Sequence, residues 1–470
     1  MFRASDYHNL LQQLEQFFAD STNQSLLSSP ITPNKLRENL SLELPIEGKS
    51  LADLQIHISS YLQHAARTAH PHYFNQLWGG FSAPSFMADI LTSATNTSMY
   101  TYEVAPAATQ IETALITKLG RLAGFSKPEG QFTTGGSNGN LMAMAIARHR
   151  KRPNLKQEGM INGPRLIAFV SVEAHYSFAK AAHLLGLGAA QLWAVPVDAK
   201  GQMKVSALES LIAKAEAQGA QPFFVAGTAG TTVRGAYDPF AGIAEVAQRK
   251  GLWFHIDGAW GASVLLSPNH RHLMQGVEEA DSLVWDAHKM MGMTLMCSAL
   301  LVKQQGAMLD TFSTQNSEYL FHGVETDPVD LGPSTIHCGR RVDAVKLWLA
   351  WQHLGDRGWE ALIDHYFVLA AHAEAIIDTH ESLELVTPRV FCNLCFRYIP
   401  KQAPQHINEL TLQIRTALLE QGIAMVNYAH LGDKVVFRLV ICNNQTGIED
   451  IEAFFEALVS TAHRLEQETV

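Results

Sequence analysis

Apolar and polar positions along the chain follow two different periods. Near the N-terminus, Leu10, Leu11, Leu14, Phe17 and Phe18 recur at the spacing of one helix face. Further on, Ser50 and Asp53 form an N-cap pair ahead of a stripe of Leu54, Ile58 and Leu62. The first seventy residues are therefore expected to be helical. Their apolar faces find no partner within the same segment, so they are expected to pack on the next domain or on a second subunit. From about residue 110 to 305 the pattern changes. Continuous apolar runs at 166–172, 222–227, 252–257, 282–285 and 298–303 read as strands, and helical stretches, including 207–217 and 243–250, separate the first three. Such alternation predicts an α/β domain with a mainly parallel sheet covered on both faces.

A helix over 343–354 should lead out of that domain. Beyond it the pattern reads strand (390–396), helix (407–421), strand (435–442), helix (449–465), a small α/β domain of its own. The expected organisation is a helical, dimer-packing segment over 1–75, a large domain over 76–345 and a small domain over 346–470. In parallel α/β sheets a ligand sits at the carboxyl ends of the strands, so the loops after each strand are where chemistry is expected.

Composition changes the picture in three places. With 470 residues, 47% of them hydrophobic, the chain is globular and too long for one ordinary core. A net charge of −10 and the lack of a basic stretch argue against nucleic-acid binding. Five cysteines, odd in number and mostly in apolar stretches, suit a reducing cytosol better than a disulfide framework. Cys392 and Cys395 form a C-x-x-C inside an apparent strand with no second ligand pair, and read as core thiols rather than a metal site. No targeting segment and no run of apolar residues of membrane-spanning length is visible, so a soluble cytoplasmic protein is expected.

Five loop regions carry candidate chemistry. Gly135, Gly136 and Ser137 precede a helix expected from about Leu141, where backbone N–H groups and the helix dipole favour a phosphate. The spacing is neither a dinucleotide fingerprint nor a Walker loop, and such turns are common. Asp257 closes a strand, where a buried carboxylate calls for a cation such as a protonated pyridine nitrogen; taken alone, a helix cap or loop aspartate is an equal reading. Lys289 follows the next strand, beside His288 and ahead of Met290 and Met291, apolar surroundings suited to Schiff-base chemistry. His175 heads a helix after the strand at 166–172 and is placed to stack on a flat ring, while Thr231 and Thr232 end another strand.

Together these residues resemble the group II pyridoxal-5′-phosphate (PLP) dependent amino-acid decarboxylases, in the branch of the glutamate, cysteine sulfinate and aspartate enzymes. The resemblance runs from HPHYFNQL (70–77) to FRLVICNN (437–444). It includes NTSMYTYEVAP (96–106), TTGGSNGNLMAM (133–144), SVEAHYS (171–177), GTAGTTVRGAYDPF (227–240), HIDGAWGAS (255–263), HKMMG (288–292) and CGRRVDAVKLWLAW (338–351). It implies the aspartate-aminotransferase-like fold, fold type I of the PLP enzymes, and a homodimer with its active site at the interface. By the same resemblance Lys289 is the Schiff-base lysine, Asp257 the partner of the pyridine nitrogen and His175 the histidine stacked on the ring. Gly136 and Ser137 match phosphate contacts, Thr232 and Ala259 pocket residues, and His288 the histidine before the lysine. Tyr319 matches a mobile-loop tyrosine that protonates the carbanion, and Arg438 and Gln76 match the groups that hold the substrate's side-chain acid.

The chain departs from the family at Asp286-Ala287, where Asn-Pro is usual, and in the segment after Tyr319. For substrate, Trp78 stands where the glutamate enzymes carry a small residue, and Ser98 and Tyr100 stand where they tend to carry Asn and Phe. A shortened cavity favours L-aspartate, giving β-alanine, with cysteine sulfinate close behind and glutamate as the alternative. A PLP aminotransferase would share the fold, lysine and aspartate, but the loop tyrosine and the H-x-D…H-K-M-M pattern favour decarboxylation. A catalytically silent PLP-fold binding protein is disfavoured, because every expected catalytic position is filled.

Overall fold

The computed structural model describes residues 4–23, 31–40, 42–161, 163–314, 321, 330–401 and 404–468. Its strands, in chain order, begin with β1 (Tyr73–Phe74), β2 (Glu129–Thr133), β3 (Leu166–Ser171), β4 (Leu192–Val195), β5 (Gln221–Thr228) and β6 (Trp253–Asp257). They continue with β7 (Ser282–Asp286), β8 (Ser298–Val302), β9 (Leu383–Leu385), β10 (Asn393–Tyr398), β11 (Met425–Leu431) and β12 (Lys434–Val440). The chain forms two compact units, one of Met1–Phe81, Val368–Thr387 and Asn393–Val470, the other of Ser82–Phe367 and Pro388–Cys392.

The second unit is built on a seven-stranded sheet in the order β2-β8-β7-β6-β5-β3-β4. From β4 through β7 all neighbours are parallel, and β8 runs antiparallel to both β7 and β2. Each residue of β3, β6, β7 and β8 is buried, which is why these strands read as unbroken apolar runs. The expectation of a mainly parallel α/β sheet holds. Strand β4 is not legible in the sequence, because as an edge strand it is mostly half-buried or exposed and carries no continuous apolar signal. The helix expected from Leu141 starts earlier, spanning Gly136–Lys151, with Gly135 at its N-cap in a φ of 120° that side chains rarely adopt. Buried charge secures the rim. Arg340 pairs with Glu112 at 2.8 Å and also donates to the Phe132 carbonyl, while Glu112 accepts from the Phe132 N–H, locking β2 to the helix Pro106–Leu122.

The first unit holds a five-stranded sheet, β1-β11-β12-β10-β9. Helix Ile407–Glu420 turns Leu410, Ile414 and Leu418 inward, and helix Ile448–Glu468 buries Ile451, Phe454, Phe455 and Leu458. The strand–helix–strand–helix reading of this region gains β11, which the sequence hides because its burial alternates around polar Asn427 and His430. The expected cut at 75 does not coincide with the unit boundary. Strand β1 pairs in parallel with β11, and side chains of Asn443, Asn444 and Thr446 bond the carbonyls of His70, Phe81 and Pro71. Two paired residues are too short a strand to register in a periodicity, so that connection is a purely tertiary one. The helix expected over 343–354 is the start of a longer element, Ala344–Thr379, interrupted where Gly355 takes a φ of 62°.

Candidate active site

The parallel strands of the second unit carry their carboxyl ends to one edge of the sheet, and the candidate residues cluster there. Asp257 is the last residue of β6 and Asp286 the last of β7, with exposures of only 5% and 2%. Asp257 is gripped at both oxygens: Oδ1 accepts the Ala259 N–H at 3.2 Å, and Oδ2 accepts from Asn140 Nδ2 at 2.8 Å. A β-carbon added to Gly136 would lie 3.1 Å from the Ala259 Cβ and 2.9 Å from Asp286 Oδ2. The helix N-terminus at Gly136, the turn after Asp257 and the end of β7 therefore meet in one place.

Lys289 lies in the turn after β7, and its Nζ pairs with Asp286 Oδ2 at 3.2 Å. Asp286 Oδ1 also accepts from the Ser298 hydroxyl, and His288 Nε2 is 3.6 Å from Oδ2. Burial opposes the Asp286 charge, but Lys289, His288 and Ser298 outweigh it and hold the carboxyl below its ordinary range. One expectation is corrected here. Met290 and Met291 suggest apolar surroundings for Lys289, whereas both methionines turn into the core and the amine meets a carboxylate. A helix-like turn puts residue i beside residue i+3, and the Lys289 N–H bonding the Asp286 carbonyl at 3.1 Å closes that turn.

His175 is half-buried in the loop leaving β3. Its Nδ1 accepts the Ser177 N–H at 3.2 Å, which leaves Nε2 as the protonated nitrogen of the neutral ring. Burial pushes the imidazole below its usual range, and the charges of Asp257, Lys289 and Asp286 all bear on it. The imidazole therefore lies within electrostatic reach of the lysine and of both carboxylates. His288 is buried, with Nδ1 at 2.9 Å from the Cys297 carbonyl and burial lowering its pKa. Thr231 is buried and its hydroxyl accepts the Ala236 N–H, while Thr232 beside it is half-buried and Ser137 is exposed.

These residues fit PLP. The group asks for an amine, a carboxylate at the ring nitrogen, a flat neighbour and an anion cradle, and the convergence supplies each of them. Thr228 is paired in register with Asp257, and its Oγ1 is buried with no hydrogen-bond partner among the described residues, a polar atom that a ligand there would satisfy.

The remaining candidates fall into separate groups. Ser98 and Tyr100 belong to the second unit, where the Ser98 hydroxyl accepts the Arg340 N–H at 3.0 Å and the Tyr100 carbonyl accepts the Gly332 N–H. Gln76, Trp78 and Arg438 belong to the first. Arg438, on β12, is 7% exposed and donates from Nη2 to the Asn75 carbonyl at 2.6 Å, adjoining the segment that bears Gln76 and Trp78. Burial pushes its guanidinium below the ordinary value. Gln76 is exposed, and the half-buried Trp78 leans on Tyr73 with ring centroids 5.7 Å apart. Tyr319 lies outside the described residues. Asn140, His255 and Ser282 stand behind Asp257, and their only signal in the sequence is the polarity of His255 inside an apolar strand. Asp286 stands out in the sequence as a departure from a family pattern and not as a partner of Lys289.

Comparison with known proteins agrees with this geometry. The model of the pyridoxal-dependent decarboxylase conserved domain matches residues 33–399. The chain is 38% identical to human cysteine sulfinic acid decarboxylase over 438 residues, covering 91% of this chain and 89% of that one. It is also 38% identical to the mouse acidic amino acid decarboxylase GADL1, covering 91% and 80%. Among solved structures, mouse CSAD superposes with a TM-score of 0.93 at 35% identity, covering 98% of this chain and 99% of that one. At 23% identity, the rice (Oryza sativa) TDC structure with PLP and tryptamine shares the fold, with a TM-score of 0.91 and coverage of 99% and 100%.

Proposed function

We propose that this chain, which belongs to the family of pyridoxal-dependent decarboxylases, removes the α-carboxylate of a short acidic L-amino acid, aspartate or cysteine sulfinate ahead of glutamate. The observation that carries the chemistry is the meeting of Lys289, paired with Asp286 at 3.2 Å, with the strand end at Asp257 and the helix N-terminus at Gly136. Bound there, PLP supplies an electron sink for the pair left when the Cα–carboxylate bond breaks. Lys289 Nζ would hold the cofactor, and the N-terminus of the Gly136–Lys151 helix, with Ser137, would take its phosphate. Asp257 would accept a hydrogen bond from the protonated ring nitrogen and favour its positive charge, an electrostatic contribution. The imidazole of His175 would stack on the ring, and Thr232, Ala259 and His288 would line the pocket. Tyr319 donates its phenolic proton to Cα after CO2 has left.

Substrate choice rests on Arg438, Gln76, Trp78, Ser98 and Tyr100. A buried guanidinium has a fixed charge and a fork of donors, which suits a carboxylate or sulfinate and disfavours an aromatic or cationic side chain. The relatives named for cysteine sulfinate and for acidic amino acids support that class. By the family resemblance, Trp78 would leave less room for a longer side chain than the small residue of the glutamate enzymes. The test is kcat/KM for aspartate, cysteine sulfinate and glutamate, followed by CO2 and amine, in wild type and Trp78→Ser. Wild type should prefer the two shorter acids. The serine variant should shift the ratio toward glutamate by roughly ten- to two-hundredfold, the discrimination that one methylene allows. A wild type that already prefers glutamate would reduce Trp78 to packing.

The working enzyme is a homodimer in this proposal. Each unit leaves apolar side chains uncovered: Leu44, Ile46 and Ile56 at 93%, 104% and 75% exposure in the first, and Met87, Ile90 and Leu91 on one helix of the second. Exposed apolar area on this scale favours covering by another surface. Sedimentation should give a dimer as the active species, and full activity in a monomer would refute it.

A further inference from the structure

A line of buried polar side chains stands behind Asp257, and its hydrogens have only one consistent arrangement. Asp257 as a carboxylate can only accept, so the Asn140 group facing it at 2.8 Å must be the amide nitrogen. The second amide hydrogen goes to Ser177 Oγ at 2.9 Å, and Asn140 Oδ1 then faces His255 Nε2 at 2.9 Å. An amide oxygen cannot donate, so His255 carries its proton on Nε2. Burial drives the His255 pKa down to about 3, which leaves the ring neutral and Nδ1 bare. Nδ1 must accept from the Ser282 hydroxyl at 2.8 Å, and Ser282 Oγ in turn accepts the Trp253 Nε1–H at 2.8 Å. Every donor in the series Trp253, Ser282, His255, Asn140 points toward Asp257. Asn140, His255 and Ser282 are at most 1% exposed, so water does not compete with these bonds.

We infer that Asn140 is a positioning residue, which holds the Asp257 carboxylate in the one orientation that favours a protonated ring nitrogen over any uncharged atom at the same place. The inference rests on the proposal that Asp257 faces that nitrogen. Asn140 does not touch the cofactor in this scheme. It fixes Oδ2 while the Ala259 N–H fixes Oδ1, and the dipoles of His255 and Ser282 keep its amide from turning over. A reversed amide would set its oxygen against the Asp257 carboxylate and its hydrogens against His255 Nε2–H.

The experiment compares PLP with its 1-deaza analogue, in which carbon replaces the ring nitrogen and the aldehyde and phosphate are kept. Dissociation constants for both are measured by absorbance titration of full-length apoenzyme for wild type, Asn140→Leu and Asn140→Ala. The leucine variant removes the donor at similar volume, and the alanine variant removes it without adding bulk against Asp257. Wild type should prefer PLP by at least about tenfold, the worth of one hydrogen bond to a charged group. In both variants the preference should fall to within about threefold, through weaker PLP binding with analogue binding little changed. Should one variant fail to fold, the other decides alone. A preference that survives the substitutions, or an equal loss for both cofactors, overturns the role of Asn140 and leaves only packing. A wild type that binds the two equally removes the role of Asp257 instead, and this inference with it.

Discussion

Replacing Lys289 with alanine abolishes the visible absorbance of PLP-loaded enzyme and slows decarboxylation by on the order of 10⁴-fold, the upper range for loss of a positioned acid–base group. The amine is the chain's one covalent hold on the cofactor in the proposed scheme, and it is already oriented by the 3.2 Å contact with Asp286. Lys346 cannot replace it, because it is fully buried and committed to Asp343 and Asp89 at 2.9 and 3.3 Å. The fold should survive, because the Lys289 side chain is partly exposed and its contribution to the core is small. Spectra and single-turnover CO2 release on the purified variant provide the check. If absorbance and turnover both persisted, the cofactor would be held elsewhere and the site would have to be reassigned.

Asp257→Asn carries the second-largest effect. The amide keeps the size of the side chain and its place at the end of β6, but it can no longer favour a positive charge on the ring nitrogen. A fall of about 10²- to 10³-fold in kcat is expected, the scale on which a preorganised electrostatic group is lost from a buried site. KM should change little, since Asp257 does not contact the substrate's distal acid. The Asn140 amide would then face another amide, and the pair can satisfy one another only if the new residue presents its oxygen at that contact. Steady-state kinetics separate the two constants. A kcat within threefold of wild type would take Asp257 out of the mechanism, whereas a rise in KM alone would move it to substrate binding.

Much of this protein is legible in its amino-acid sequence. The parallel sheet shows itself because strands buried on both faces must be continuously apolar, as β3, β6, β7 and β8 are. The positions of Asp257, Lys289 and His175 are legible for a related reason. Chemistry in such folds lies just past strand ends, so a carboxylate, an amine and an imidazole at those points stand out as candidates, and the family resemblance gives them roles. What a single strand or turn decides, local sequence can say. Edge strand β4 and the alternating β11 are lost where burial is partial, since half-exposed positions tolerate any residue.

The tertiary structure decided what depends on distance through space. Asn140 meets Asp257 across 117 positions of sequence, and His255 meets Asn140 across 115. Neither contact has a period or a motif, because each exists only once the Gly136–Lys151 helix has packed across the sheet. The same holds for β1, two residues long, whose pairing with β11 joins the chain's beginning to its end. Residue types set which reaction the chain can support. The arrangement of buried hydrogen bonds, with water excluded and each donor given one acceptor, is a property of packing, and no local stretch of sequence contains it.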